Sequence, residues 1–224
     1  MTTAIVIGAD RGIGAALVDV YRERGYDAIA VCLGDGAPWA DTNVRVIGHV
    51  DVTSSEAVEK LAADVGATPI DILIHVAGVG AFDKWGRFDF DAMLQHYDLN
   101  ALGPLRVVSA LAENLTKGSR VGIVTSRMGS IGDNASGRMY SYRMSKAAAN
   151  MLGVNLHHEL APRSVHVMLL HPGTVATQMT KGARGWDTFT KPAESAAGLA
   201  DQLDTLGPDS PIEFRHADGT LLPW

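Results

Sequence analysis

With 224 residues, of which 46% are apolar and 20% charged, the chain is long enough for one large α/β unit with a substantial core. A net charge of −6 leaves no broad basic surface, which argues against nucleic acid as a partner. Cys32 is the single cysteine, so no internal disulfide can form, and a reducing, cytoplasmic setting is expected.

Strand-like and helix-like segments then alternate along the chain. TAIVI at 3–7 is short, apolar and β-branched, and predicts a buried strand. Ile13, Leu17, Val20 and Tyr21 mark one face of a helix that Gly25 ends. AIAVCL at 28–33 and VRVIGH at 44–49 predict two more strands, SSEAVEKLAADV at 54–65 a helix, and IDILIHV at 70–76 a fourth strand. Helices are expected at 89–98 and 100–117, a fifth strand at 120–126, and a long helix at 139–160 with Pro162 just past its end. A sixth strand at 165–171, a helix at 191–203 and a short strand PIEF at 211–214 complete the pattern.

Apolar strands alternating with helices imply a parallel sheet covered on both faces, a doubly wound Rossmann-type fold. No linker rich in proline, serine or charge interrupts it, so 1–224 is expected to form a single domain. The opening MTTAIVIGADRG has no basic segment ahead of a long apolar run, so no secretory leader is expected. No stretch approaches the roughly 18 apolar residues of a membrane span. The histidines are scattered and HHE at 157–159 lacks zinc-pair spacing, so no metal site is expected.

The first strand runs into GADRGIG, with Gly8, Gly12 and Gly14 in a strand-to-helix turn. Such a turn lets backbone N–H groups approach a pyrophosphate where the helix dipole favours negative charge. On the same grounds, Tyr142 and Lys146 in YSYRMSK lie four residues apart on one helix face. A free phenol has a pKa of about 10, and a nearby ammonium is expected to lower it toward the range useful for general acid–base catalysis. Tyr140 has Met144 in that position and lacks this activation. Ser126 falls at the end of the fifth strand, the edge where ligands bind in such sheets, and Ser130 is the alternative hydroxyl.

The G-x-x-x-G-x-G spacing, Ala77-Gly78, Asn100, Ser126, Tyr-x-x-x-Lys and Pro172-Gly173, in that order across about 4–177, resemble the short-chain dehydrogenase/reductase family. TKPAES, DGTLLPW and SRMGSIGDN are similar to the branch that includes C-factor (C-signal) and the sniffer-like carbonyl reductases. The resemblance implies a seven-stranded sheet of order 3-2-1-4-5-6-7 and an oxidoreductase moving hydride between a nicotinamide cofactor and a carbonyl or alcohol.

It implies catalytic roles for Asn100, Ser126, Tyr142 and Lys146. The cofactor would lie on Gly8, Arg11, Gly12, Ile13, Gly14, Asp51, Val52, Ala77, Gly78, Tyr142, Lys146, Pro172, Gly173, Val175 and Thr177. Asp51 would accept from the adenine amino group, its rival role being a turn or helix cap. Asn100 would hold a water that connects the lysine to solvent, or merely cap a helix. Ile7 stands where relatives have threonine. His75 and Val76 replace two asparagines, and His75 is expected to be a hydrogen-bonded structural residue.

NADP(H) is favoured through Arg11. NAD(H) stays open because Cys32 and Leu33 are uncharged and Asp35 lies about 20 residues past the turn. The loop over about 178–190, with Trp186 and Phe189, is expected to cover a small carbonyl or alcohol substrate, or to pack itself down. A homodimer or homotetramer through the helices at 100–117 and 139–160 is expected. The rival readings are a cofactor-binding signalling protein on the same fold and a sugar-nucleotide epimerase, for which the 47 residues after Thr177 leave too little chain.

Overall fold

The computed structural model describes residues 2–36, 39, 44–80 and 82–224. Its centre is a seven-stranded sheet in the order β3-β2-β1-β4-β5-β6-β7, with every neighbouring pair parallel. The strands are β1 (Thr3–Ile7), β2 (Asp27–Val31), β3 (Arg45–Ile47), β4 (Ile70–His75), β5 (Leu115–Val124), β6 (His166–His171) and β7 (Phe214–His216). The principal helices are α1 (Gly12–Glu23), α2 (Ser55–Val65), α3 (Phe90–Tyr97), α4 (Gly103–Ala110), α5 (Tyr140–Leu160) and α6 (Pro192–Asp204).

Side chains alternate between the two faces of each strand, so an apolar run feeds two cores at once. Ile5, Ile7, Leu73, Val121 and Ile123 join Leu61 of α2, Val107 of α4 and Leu156 of α5 on one face. Ala4, Val6, Ile72, Ile74 and Leu170 join Leu17 and Tyr21 of α1 and Leu199 and Leu203 of α6 on the other. The strand order reverses beside β1, which opens a crevice at the carboxyl edge.

The structure corrects three expected boundaries. The helix expected at 100–117 is a π-helical turn, Asp98–Leu102, then α4, then a short 3-10 turn, and β5 already begins at Leu115. Gly118, at φ 92°, turns the chain inside that strand. The Ser119 hydroxyl accepts from Thr116 N (2.8 Å) and donates to Ile70 O (2.6 Å), where the β4–β5 register shifts. The last strand lies at Phe214–His216 rather than 211–214, since Pro211 has no N–H to give a ladder. The second strand ends at Val31, two residues earlier than its apolar run. Among the described residues, no helix is long and apolar enough to cross a membrane.

Candidate active site

Gly8 follows β1 at φ 89°, and its N–H, with that of Ala9, donates to Val31 O (2.9 and 3.0 Å). A Cβ on Gly8 would stand 2.7 Å from Ala77 N, and one on Gly14 would stand 2.0 Å from Gly8 O. Only glycine permits this approach of strand, turn and helix. Arg11 is the N-cap of α1 and supplies no side-chain acceptor, so the first-turn N–H groups of Gly12, Ile13 and Gly14 remain available to an anion.

These residues line one end of a cleft of about 630 Å³, which runs past Ala77 and Gly78 to Tyr142, Lys146, Pro172 and Thr177. Asp10, which sequence reasoning passed over, also lines it. Its carboxylate accepts from Leu33 N (2.9 Å) and Gly34 N (2.8 Å), fixing the tip of β2. An aspartate between two turn glycines is the one local signal that could have flagged it.

Several expected cofactor contacts lie outside the cleft lining. Asp51 accepts from the Thr53 N–H (2.9 Å) and hydroxyl (2.7 Å), so its carboxylate forms the turn ahead of the α2 cap Ser54. Val52 is buried, and a Cβ on Gly103 would meet it at 2.9 Å. Asp35 pairs with His49 (3.0 Å) on the exposed rim. Gly173, at φ 84°, turns the chain below the lining, and Val175 is buried. Thr180 Oγ1 donates to Val175 O (2.5 Å) and accepts from Thr177 N (3.0 Å). Trp186 donates to Thr177 O (3.4 Å) and pins the loop, while Gln178 and Met179 face the cleft.

The chemistry-bearing residues meet at the other end. Asn100 sits on the π-helical turn, 2% exposed; its Nδ2 donates to Val79 O (3.0 Å) and Ser145 Oγ (2.9 Å), and its Oδ1 accepts from Val79 N (2.9 Å). Both amide protons are thereby committed to joining the end of β4 to α5. A Cβ on Gly78 would lie 3.0 Å from Asn100 Oδ1 and 3.3 Å from Lys146 Nζ. Ser126 is buried just past the end of β5 and accepts from Met128 N (3.1 Å), and its hydroxyl is near enough to the Tyr142 phenol to favour the phenolate. The Ser130 hydroxyl is committed elsewhere, donating to Trp224 O (3.1 Å) and accepting from Asp133 N (3.0 Å). Tyr140 packs against Phe88 (5.1 Å) and Trp85 (5.9 Å).

Electrostatics depart from the expectation for Tyr142. Burial raises the phenol pKa, and the neighbouring Ser126 hydroxyl only partly opposes this. Lys146 Nζ lies 5.9 Å from the ring centroid and donates to Val124 O (3.2 Å), so its charge is directed at the strand. Burial brings the Lys146 pKa down to about 8. In this structure desolvation therefore outweighs the ammonium. His75 is also corrected: its Nε2 is buried without a hydrogen-bond partner, and burial and then Lys146 bring its pKa down to about 3. Among the described residues no cluster of His, Cys, Asp and Glu fits a metal ion.

The short chain dehydrogenase family model matches residues 2–188. The chain is 48% identical to a 1-hydroxy-2-glutathionyl-2-methyl-3-butene dehydrogenase of Rhodococcus sp. (strain AD45), with 100% of both covered. It is 42% identical to C-signal of Myxococcus xanthus, over 73% of this chain and 98% of that protein. Its fold matches the crystal structure of a carbonyl reductase from Pseudomonas aeruginosa PAO1 in complex with NADP at 28% identity and a TM-score of 0.86, covering 100% of each chain.

Proposed function

Because the chain belongs to the short-chain dehydrogenase/reductase family, we propose that its cleft takes NADP(H) ahead of NAD(H), and that it interconverts a carbonyl compound and an alcohol with Tyr142 as general acid/base. The observation that carries this reading is a single cleft lined at one end by Tyr142 and Lys146 and at the other by a helix N-terminus with no side-chain cap. A dinucleotide fits the residues present: Gly8 and Gly14 let strand, turn and helix close together, which brings the uncapped N–H groups at the start of α1 to the cleft, where they would hold a pyrophosphate. The bound nicotinamide supplies or accepts the hydride.

The protein's own groups do the rest. Ser126 orients the carbonyl oxygen, and Tyr142 gives a proton to it in reduction or takes one from the hydroxyl in oxidation. Lys146 and Tyr142 would hold the nicotinamide ribose, and Pro172 and Thr177 line the same end of the cleft. Asn100 serves by fixing the end of β4 against α5, which holds Ser145 and Lys146 in place. The Rhodococcus relative's name describes a glutathionyl-substituted alcohol, so that class heads the substrate panel.

Fluorescence titration with NADPH and NADH, followed by turnover on alcohols and carbonyl compounds, tests the reading. Saturable binding and turnover are expected, and failure to bind either nucleotide sinks it. Arg11 carries the preference for the 2′-phosphate. Arg11→Ala is expected to weaken NADPH binding about tenfold and NADH binding less than about threefold, with equal losses refuting the assignment.

The C-signal relative favours a second reading, a nucleotide-binding protein that acts through partners. A Tyr142→Phe chain that keeps full biological effect without turnover would establish it. Exposed Leu105 on α4 and Met144 and Met151 on α5 support a homodimer or homotetramer through those helices, which a monomer in sedimentation velocity at micromolar concentration would refute.

A further inference from the structure

The segment 127–139, between Ser126 and the helix that bears Tyr142, is a long stretch held from several sides. Arg143, next to Tyr142, donates through Nε to Gly137 O (3.0 Å), through Nη1 to Met128 O (3.2 Å) and through Nη2 to Ser136 Oγ (3.0 Å). Arg127 pairs with Asp133. A Cβ on Gly129 would stand 2.6 Å from the carbonyl carbon of Lys146, so the turn after Ser126 is pressed onto α5 at the lysine itself. Gly137, Arg138 and Met139 follow one another at φ 61°, 63° and 51°. Two successive non-glycine residues in the left-handed region persist only where their surroundings over-determine them.

The other side of this turn is held by residues far away in sequence. Trp224 O accepts from Gly132 N (2.7 Å) and from Ser130 Oγ (3.1 Å). The Trp224 ring stacks on Phe214 of β7, with centroids 6.0 Å apart and planes 27° apart. Backbone bonds Leu222 N to Phe214 O (2.8 Å) and His216 N to Thr220 O (2.9 Å) fold 220–224 back along the sheet edge. A Cβ on Gly132 would meet Trp224 O at 3.2 Å and Pro223 Cβ at 3.6 Å, so the two segments touch with nothing between them.

We propose that residues 220–224 are a strap that sets the position of Ser126, with Trp224 as a positioning residue that acts on the substrate through the 126–132 turn. The ring is the anchor, on a buried phenylalanine of the sheet; the backbone oxygen is the clamp, on Gly132 and Ser130. Together with Gly129 on α5, the clamp grips the turn from both sides, so the Ser126 hydroxyl, which accepts from Met128 N, is held in one position relative to α5. The proposal rests on the reading of Ser126 as the group that orients the carbonyl.

Trp224→Ala removes the anchor and Gly132→Ala crowds the clamp from the opposite side. Each is expected to lower kcat about tenfold while the NADPH Kd, read by fluorescence in the 224-residue chain, stays within twofold. Trp224→Phe, which keeps a stacking ring, is expected to restore most of the activity. The double variant is expected to be no slower than the slower single one, because both act through the same contact. In hydrogen exchange, the Met128 and Gly132 amides should lose protection in Trp224→Ala, a readout that needs no substrate.

Wild-type kcat in Trp224→Ala, or multiplied losses in the double variant, overturns the strap. So does a loss of NADPH affinity in step with kcat. If Trp224→Ala does not fold, Gly132→Ala and Trp224→Phe decide the question alone. A wild-type protein that binds NADPH but turns over no carbonyl or alcohol refutes the enzyme reading instead, and the exchange data then decide whether the tail holds the turn.

Discussion

Tyr142→Phe is expected to lower kcat at saturating substrate by about 10³-fold, with the NADPH Kd changed less than about threefold. The phenyl ring keeps its packing and its place over Lys146, so the loss isolates the hydroxyl. The phenol pKa is raised in this structure by burial, with Ser126 opposing. A neutral phenol is the form that can protonate a developing alkoxide, so on the proposed reading the site favours carbonyl reduction near neutral pH. Alcohol oxidation needs the phenolate, and its rate should climb with pH well beyond the point where reduction levels off. Lys146, held down to about 8, gives up its charge over the same range in the free protein and so cannot by itself generate that phenolate. On the proposed reading, the positive charge of a bound oxidised nicotinamide would supply the further stabilisation. A variant retaining more than about a tenth of wild-type turnover in a single-turnover assay would remove Tyr142 from the chemistry.

Periodicity was a good guide to the sheet because its strands are buried on both sides and read as unbroken apolar runs such as TAIVI and IDILIHV. The sheet order was carried by the family resemblance rather than by any one strand. The same local patterning failed where a single residue reset the backbone. Gly118 and Ser119 turned an expected helix end into the start of β5, through a hydroxyl reaching a carbonyl 49 residues away. In the site, the glycine turn and the pair of Tyr142 and Lys146 were visible because each is a local spacing with a physical meaning.

The charge balance around that pair was not legible, because it depends on where Nζ points and on how much protein surrounds the phenol. Spacing put the lysine on the right face, and Val124 O decided its direction. Asp10 was hidden for a similar reason: its partners at the tip of β2 lie 23 and 24 residues away. The contact between Ser130 and Trp224, 94 residues apart, has no local signature at all. It commits the Ser130 hydroxyl to Trp224 O, a contact that no motif signals.

Acidification from about pH 6.5 toward pH 5 should already cost this protein on the order of a few kcal/mol of folding stability, before most of its carboxylates are protonated. His75 has its pKa brought down to about 3, first by burial and then by Lys146. His171, just before the Pro172 turn and 5.0 Å from His216, is brought down to about 4 by burial and then by His216. Above about pH 6.5 both imidazoles are neutral whether the chain is folded or not, so neither contributes a pH dependence. Below it the unfolded chain takes up protons that the folded chain refuses, and stability falls until the folded pKa values are reached. His157 and His166, lowered less and more exposed, act in the same direction. Asp133 and Asp218, lowered by hydrogen bonds at the surface, begin to matter only below their ordinary range. Urea midpoints between pH 8 and 4.5 measure the slope. His75→Leu should flatten it, and should leave stability at pH 7.5 within about 1 kcal/mol of wild type or above it. The unpartnered Nε2 is a cost already present in the native protein, and leucine removes it along with the ring. A flat wild-type midpoint across that range, or a His75→Leu variant as acid-labile as its parent, would show that the buried imidazole takes up its proton without unfolding the sheet.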